Sequence, residues 1–356
     1  MPKTLFVSIL RQAEPATVEA EAESSPLAAE VLATWRTLVE PLPHNGEGDK
    51  EDFWEMAYRL HAGLNSGAKA VYLSIDNKPA TIVNPTKKSW GKKSFDASEA
   101  YRLGSENPER YALYGPVSRF SPANAVRLPQ EEMATQYASL APYTAHSGRR
   151  IDLVSVGEGY EGEDVGVTIE ERLLEYRDAG LTRAAIKSVR SKRFPLTVFD
   201  IAAGDNPVPS DLHDSIGDWA FQLLGLPEAF ILQGYMNVQY EYRFFVVGGK
   251  PVTGAANIEE HTPLDAMPGV PFDPFMRQHR AAKSEVVEQV RRMVNYLDFA
   301  TKVATEMADQ HGLVDYVLDV ATDGDTGEPF IVELNGLLNS GLFATDPREV
   351  TKALVA

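Results

Sequence analysis

Two short apolar runs near the C-terminus constrain the fold more than any other stretch of this chain. YVLDVA (316–321) and FIVELN (330–335) are separated by TDGDTGEP (322–329), a segment dense in turn residues. Strand-length runs flanking such a turn predict an antiparallel hairpin centred near Thr326. Side chains alternate across a strand, so Val317, Asp319 and Ala321 share one face of the first run, and Ile331, Glu333 and Asn335 share one face of the second. Asp319 and Glu333 are equidistant from residue 326, which lets the hairpin set two carboxylates side by side. Such a pair repels unless one acid is protonated or a cation lies between them. A hard divalent cation taking oxygens from Asp319, Glu333 and Asn335 resolves the conflict, and Mg²⁺ typically uses a few such ligands plus substrate phosphates. Ordinary charges on a solvent-facing strand also account for the acids. They do not account for the side-chain amide and the Gly-Ser-rich LNGLLNSG that follow.

Composition narrows the class of partner. The 356 residues are 44% hydrophobic and 24% charged, enough for two domains that each bury a core. A formal charge of -17 argues against a nucleic-acid duplex or an anionic membrane, both of which select a positive footprint. The absence of cysteine excludes disulfides, thiolate nucleophiles and zinc-thiolate sites. The opening MPKTLFVSILRQAEP holds only the short apolar run 5–10, too brief for a signal-peptide core or a spanning helix, and reads as the first strand of a cytoplasmic protein.

The acidic, Ala-rich stretch 14–25 and the polar loop 44–52 carry no functional signature, and a helix is expected over 53–64. AVYLSI (70–75) and ATIVN (80–84) flank the turn Asp76-Asn77-Lys78-Pro79 and predict a hairpin. Residues 104–148 show no sustained period. IDLVSV (151–156) reads as a strand, and the following GEGYEG (157–162) matches a dinucleotide-binding spacing in form only. Four acids surround it and no helix is expected to open at its third glycine, so it reads as an interdomain linker. A helix near 169–179 stops at Gly180 and leads into the strand LTRAAIKSV. Ser210 or Asp211 caps a helix carrying Leu212, Ile216, Trp219, Ala220 and Leu223. The longest helix is expected over 281–310, with Val287, Val290, Val294, Leu297, Thr301 and Ala304 as its core stripe.

Asp on one strand, then VELN and NSG on the next, resembles the C-terminal metal-binding core of the ATP-grasp superfamily. FILQGYM (230–236) resembles the hinge strand that holds adenine, YEYRFFVVGGKPVTGA (240–255) the following strand with its phosphate-facing arginine, and IKSVRSKRF (186–194) the paired lysines of the clade with one arginine and two lysines. The resemblance covers roughly residues 165–348. It implies an ATP-grasp fold of two α+β subdomains with an N-terminal mixed α/β domain, divided as 1–163, 164–232 and 233–356. It implies ATP as cofactor, contacted by Lys187, Lys192, Gln233, Gly234, Tyr235, Glu241 and Arg243, and Mg²⁺ held by Asp319, Glu333 and Asn335.

The activity implied is that of a carboxylate-amine ligase, joining an amino acid or peptide to an amine through an acyl phosphate with release of ADP. Physical reasoning on the residues runs the same way: phosphoryl transfer depends on positioning and on cancelling phosphate charge, which Lys187, Lys192, Arg243 and a metal supply. No Walker A loop is present. Taken singly, each basic residue reads as well as a solvated surface charge. The Pro-rich segment 257–280 reads as a lid over the intermediate, with Arg277 and Arg280 gripping a carboxylate or acyl phosphate and Arg243 completing the catalytic set. Asn339 and Ser340 are placed as substrate contacts. A phosphotransferase, a non-catalytic nucleotide-binding module and an NAD-dependent oxidoreductase built on GEGYEG are the competing readings.

Overall fold

The computed structural model describes residues 2–39, 48–76, 78, 80–84, 89–95, 97–115, 133, 136–155, 162–188, 196–201, 229–278 and 284–356. The chain divides into two compact units, one made of Met1–Ala134, Gln239–Thr322 and Val332–Ala356, the other of Thr135–Val238 and Asp323–Ile331. Both mix helix and strand, as an α/β (α+β) chain should. The expected helix over Leu212 to Leu223 lies outside the described residues, as do Gly157, Gly159, Lys192 and Arg280.

The first unit opens with β1 (Thr4–Ile9), α1 (Val18–Glu23), α2 (Pro26–Leu38), α3 (Lys50–Leu64), β2 (Ala70–Ile75), β3 (Ala80–Asn84), β4 (Ser89–Phe95), α4 (Ala97–Glu106) and β5 (Tyr111–Tyr114). Its sheet runs β4-β3-β2-β1-β5, with β1 parallel to β2 and β5, and β2-β3 forming the expected antiparallel hairpin. β1 is apolar at four of its six positions, Leu5, Phe6, Val7 and Ile9, which fall on both faces because both are covered. Leu5, Val7 and Ile9 join a core with Val31, Trp35, Phe53 and Leu60, while Phe6 faces the opposite side and stacks on Tyr72 at 5.0 Å. The helix expected from residue 53 begins at Lys50, because the Asp49 carboxylate accepts the free N–H groups of Glu51 and Asp52. Glu51 and Asp52 also suit the positive end of the helix dipole.

The second unit contains α5 (Ala141–His146), β6 (Ile151–Ser155), α6 (Gly162–Asp178), β7 (Arg183–Ser188), β8 (Thr197–Asp200) and β9 (Ala229–Gly234). Its sheet order is β6-β9-β7-β8, antiparallel throughout. Leu173 and Tyr176 of α6 pack with Val154, Ile186, Phe230 and Leu232. α6 starts seven residues before the expected point: a helix does open at the third glycine of GEGYEG, contrary to expectation. The antiparallel β9 beside β6 is nonetheless foreign to a dinucleotide fold, which needs adjacent parallel strands.

The first unit resumes with β10 (Val238–Val247), β11 (Lys250–Ala256), β12 (Phe275–Met276), β13 (Val287–Glu288), α7 (Val290–His311), β14 (Tyr316–Asp323), β15 (Pro329–Asn335) and α8 (Pro347–Val355). The sheet order is β11-β10-β14-β15. The expected hairpin is present, closed by the Asp323 N–H donating to Glu328 O at 3.0 Å and the Gly327 N–H to Asp323 O at 2.8 Å. Phe245, Val247, Val317, Leu337, Val350 and Leu354 belong to the same core as β1 and α3.

Of the stripe foreseen for the longest helix, Ala304 is buried and the valines are corrected. α7 begins at Val290, after the short strand β13, and buries Tyr296, Ala300, Val303, Ala304 and Met307. Val287, Val290 and Val294 are exposed. The large Tyr296 and Met307 and the small Ala300 and Ala304 fit the close approach to the sheet, so the core register follows shape rather than the valines. No described helix is long and apolar enough to cross a membrane.

Candidate functional site

The site grows from three adjacent strands of the first unit. On β10, Tyr242 and Phe244 pack towards α7, the Tyr242 and Tyr296 rings lying 6.1 Å apart. Phe245 and Val247 join the core beneath α3, and alternation puts Arg243 on their face. The neighbouring β14 points Val317 into that core too, which places Asp319 on the same face. Arg243 Nε donates to Asp319 Oδ1 and Nη2 to Oδ2, both at 2.8 Å, a bidentate pair with both residues buried. From β15, Asn335 Nδ2 donates to Asp319 Oδ2 and to Glu333 Oε1, each at 3.0 Å. The structure therefore brings Arg243, Asp319, Glu333 and Asn335 together, as the alternation of side chains implies.

Glu241 enlarges the acidic side of the cluster. Its Oε1 accepts from Asn257 Nδ2 at 3.1 Å. Burial and the charges of Asp319 and Glu333 push its carboxyl up to about 7, against the pull of Asn257 and Arg243. Burial works against the Arg243 charge, but Asp319, with Glu333 and Glu241 beyond it, more than offsets that and raises the guanidinium above its ordinary value. Three carboxylates face one guanidinium, leaving an excess of negative charge in a poorly solvated place. The carboxylates on β14 and β15 offer oxygens, the chemistry of a hard divalent cation, while Asn335 turns its amide nitrogen towards them. Among the described residues no group of three or more His, Asp or Glu is arranged to hold a metal ion. The candidates on this face are Asp319, Glu333 and Asn335, and both Asp319 oxygens accept hydrogen bonds from Arg243 or Asn335.

The strand geometry rests on a glycine. A Cβ on Gly254 of β11 would come within 2.6 Å of the Tyr242 ring and 2.8 Å of Arg243 O. Without it, Tyr242 lies across β11 and its hydroxyl donates to Gly254 O and Asp273 O at 2.8 and 2.9 Å.

The other foreseen residues have contacts of their own. Lys187 lies on β7 in the second unit, its Nζ 5.1 Å from the Tyr137 ring centroid. Gln233 pairs with Ile151 and Ala185 across both neighbouring strands, and its side chain accepts from Arg149 Nε at 3.0 Å. The N–H groups of Gly234 and Tyr235 donate to Arg150 O and Arg183 O at 2.9 and 3.1 Å. Those two donors are thus engaged within the protein. Arg277 pairs with Glu260 at 2.5 Å.

Over its described part, the 257–280 segment is anchored to β11 and to itself. Pro271 O accepts from Thr253 Oγ1 and the Gly254 N–H, the Asp273 N–H donates back to Gly254 O, and β12 pairs with β13. Thr262, Asp273 and Met276 are buried.

Sequence reasoning missed the N-terminal contribution. On α3, Glu55 Oε1 accepts the backbone N–H groups of Leu342 and, at 3.4 Å, Phe343. Arg59, 2% exposed, donates through Nη2 to Ser340 O. Ser340 donates its own hydroxyl to Gly336 O at 2.7 Å, and Asn339 is exposed. The only sequence signal was an acid and a base one helical turn apart, a commonplace of solvated helices.

Residues 210–354 match an ATP-grasp domain family, the third family of the clade with one arginine and two lysines. The C-terminal part of this chain is thus similar to ATP-grasp domains over that segment. All of β10, β14 and β15, with Arg243, Asp319, Glu333 and Asn335, lies inside the matched segment. No curated protein matches the sequence. Among solved structures, the chain is similar to a RimK domain protein ATP-grasp from Sphaerobacter thermophilus, with 14% identity, TM-score 0.43, and coverage of 86% of this chain and 94% of that one. It is similar to the D-alanine–D-alanine ligase from Bacillus anthracis complexed with ATP, at 13% identity, TM-score 0.40, and 100% and 97% coverage. An L-amino acid ligase from Bacillus licheniformis gives 10% identity, TM-score 0.42, and 99% and 75% coverage. The likeness to an ATP-grasp domain rests on the matched segment, not on these scores.

Proposed function

We propose that the protein is an ADP-forming carboxylate-amine ligase that activates an amino-acid or peptide carboxylate as an acyl phosphate and passes it to an amine. The observation that supports this best is the single strand face within the matched segment that gathers Arg243, Asp319, Glu333 and Asn335. Asp319, Glu333 and Asn335 would hold Mg²⁺, which when bound neutralises charge on the ATP phosphate oxygens. Arg243, kept cationic by its acidic neighbours, is suited to a phosphate oxygen or a developing acyl phosphate. Lys187 and Lys192 would add charge to the phosphates, and Gln233, Gly234 and Tyr235 would border the adenine. Arg277 and Arg280 would contact the carboxylate or acyl phosphate, with Asn339 and Ser340 beside the substrate. In functional terms, residues 1–163 would serve the acceptor side, 164–232 carry the lysines and 233–356 the metal. The partners would be a small-molecule or peptide carboxylate and an amine, in the cytoplasm, with neither nucleic acid nor membrane involved.

Calorimetric titration of ATP with Mg²⁺ into the wild type and into Glu333→Ala tests the site. Metal-dependent binding to the first, lost in the second, is the expected result. A folded wild type that binds no nucleotide would sink the proposal. Screening amino-acid pairs for ADP release tests the chemistry: binding with no release for any pair would leave a nucleotide-binding module, and a stable phosphorylated product would make the protein a phosphotransferase.

A further inference from the structure

We infer that Glu55 and Arg59 of α3 are positioning residues for Arg243, acting through the Ser340–Phe343 backbone; this extends the proposed ligase site into the N-terminal part of the chain. Beside its pairing with Asp319, Arg243 touches this loop at two points. Its Nη1 donates to Gly341 O at 3.3 Å, and its guanidinium lies 5.0 Å from the centroid of the Phe343 ring. Phe343 has φ +48°, a left-handed conformation that is uncommon away from glycine and persists only when its surroundings hold it. The α3 pair supplies that hold. Glu55 Oε1 takes the N–H groups of Leu342 and Phe343, and Arg59 caps Ser340 O. The three bonds bracket Gly341, where a Cβ would lie 3.3 Å from Glu55 Oε1 and 3.6 Å from Arg243 Nη1.

Helix stability alone does not explain the pair. Arg59 is 2% exposed, its Nε and Nη1 have no hydrogen-bond partner among the described residues, and Glu55 lies 3.8 Å away. Burying a guanidinium with so few bonds is costly, and an apolar side chain would serve the core better. Both side chains direct their hydrogen bonds to one stretch of backbone, the stretch against which Arg243 rests. The Arg59 guanidinium also sits 5.3 Å from the Tyr114 ring centroid, which keeps its head turned to the loop.

The first test is hydrogen-deuterium exchange on the full chain without nucleotide. In the wild type the Leu342 and Phe343 amides should be protected. Glu55→Ala should speed their exchange about tenfold, the equivalent of one lost buried hydrogen bond, while Glu55→Gln, which keeps an acceptor oxygen, should restore most of the protection. Free-peptide exchange rates at these amides in the wild type would overturn the inference, and this arm reads true even if Glu55→Ala fails to fold. The second test measures Mg-ATP affinity for Glu55→Ala, Arg243→Lys and the double variant. Losses that fall short of additive place Glu55 upstream of Arg243. Strictly additive losses would reduce Glu55 to a structural role. A wild type that binds no nucleotide removes the ligase reading, while the exchange result still decides whether α3 holds the loop.

Discussion

The charge on Arg243 survives burial because Asp319 lies 2.8 Å away on the next strand. Removing Asp319 breaks both hydrogen bonds of this buried pair and leaves Glu333 and Glu241 to face the guanidinium without them. Asp319→Ala should therefore cost about 3–5 kcal/mol of stability, read from urea denaturation, before any effect on ligand binding. Asp273 gives a second test at this scale, through pH. Burial pushes its carboxyl up from 3.8 to about 6, against the N–H it accepts from Phe275 and with a small further push from Asp265. A carboxyl raised on folding binds its proton more tightly in the folded state, so its contribution to stability is greatest below 3.8 and falls as pH rises through about 6. Asp273→Asn cannot ionise and should lose that fall. Between about pH 4.5 and about pH 7.5 the urea midpoint of the wild type should drop by more than that of the variant.

At the level of elements, α7 is the sharpest test because its register departs from the sequence pattern. Val294 is exposed and Val303 is sealed. Val294→Ser should change stability by less than about 0.5 kcal/mol, whereas Val303→Ala should cost about 1–3 kcal/mol. The reverse order in thermal denaturation would mean that the valine stripe is the core face after all. The strands were legible where periodicity and chemistry coincide: β14 and β15 announce themselves by apolar alternation, and the acids on their shared face point to the site. α7 was misread because hydrophobicity ranks valine above alanine and tyrosine, while packing against a sheet selects size and fit. The start of α6 was hidden by glycines at 157, 159 and 162 and by acids that read as loop but suit the first turn of a helix. Glu55 and Arg59 were illegible for a different reason. Their partners are backbone groups nearly three hundred residues further on, as the separations of 281 and 287 positions show, and no local pattern carries that information.

For the molecule as a whole, the deciding fact is that one core is built from both ends of the chain. Leu5, Trp35, Phe53 and Leu60 share it with Phe245, Val317, Leu337 and Leu354. A fragment starting at residue 164 would keep eight of the 29 buried residues of that core and expose them to water, at about 25 cal/mol for each Å² of apolar surface uncovered. Such a fragment should be insoluble or molten when expressed alone, and co-expression with a fragment spanning residues 1–134 should raise its soluble yield. The same interleaving has a consequence in time. The 104 residues from Thr135 to Val238 stand between the first instalment of the core and the second. At about 5–20 residues per second of synthesis, the N-terminal sheet waits on the order of 5–20 s on the ribosome before its remaining partners begin to emerge. During that wait the apolar face of β1 is an aggregation hazard, and the nascent chain is a natural client for chaperones that bind extended hydrophobic segments.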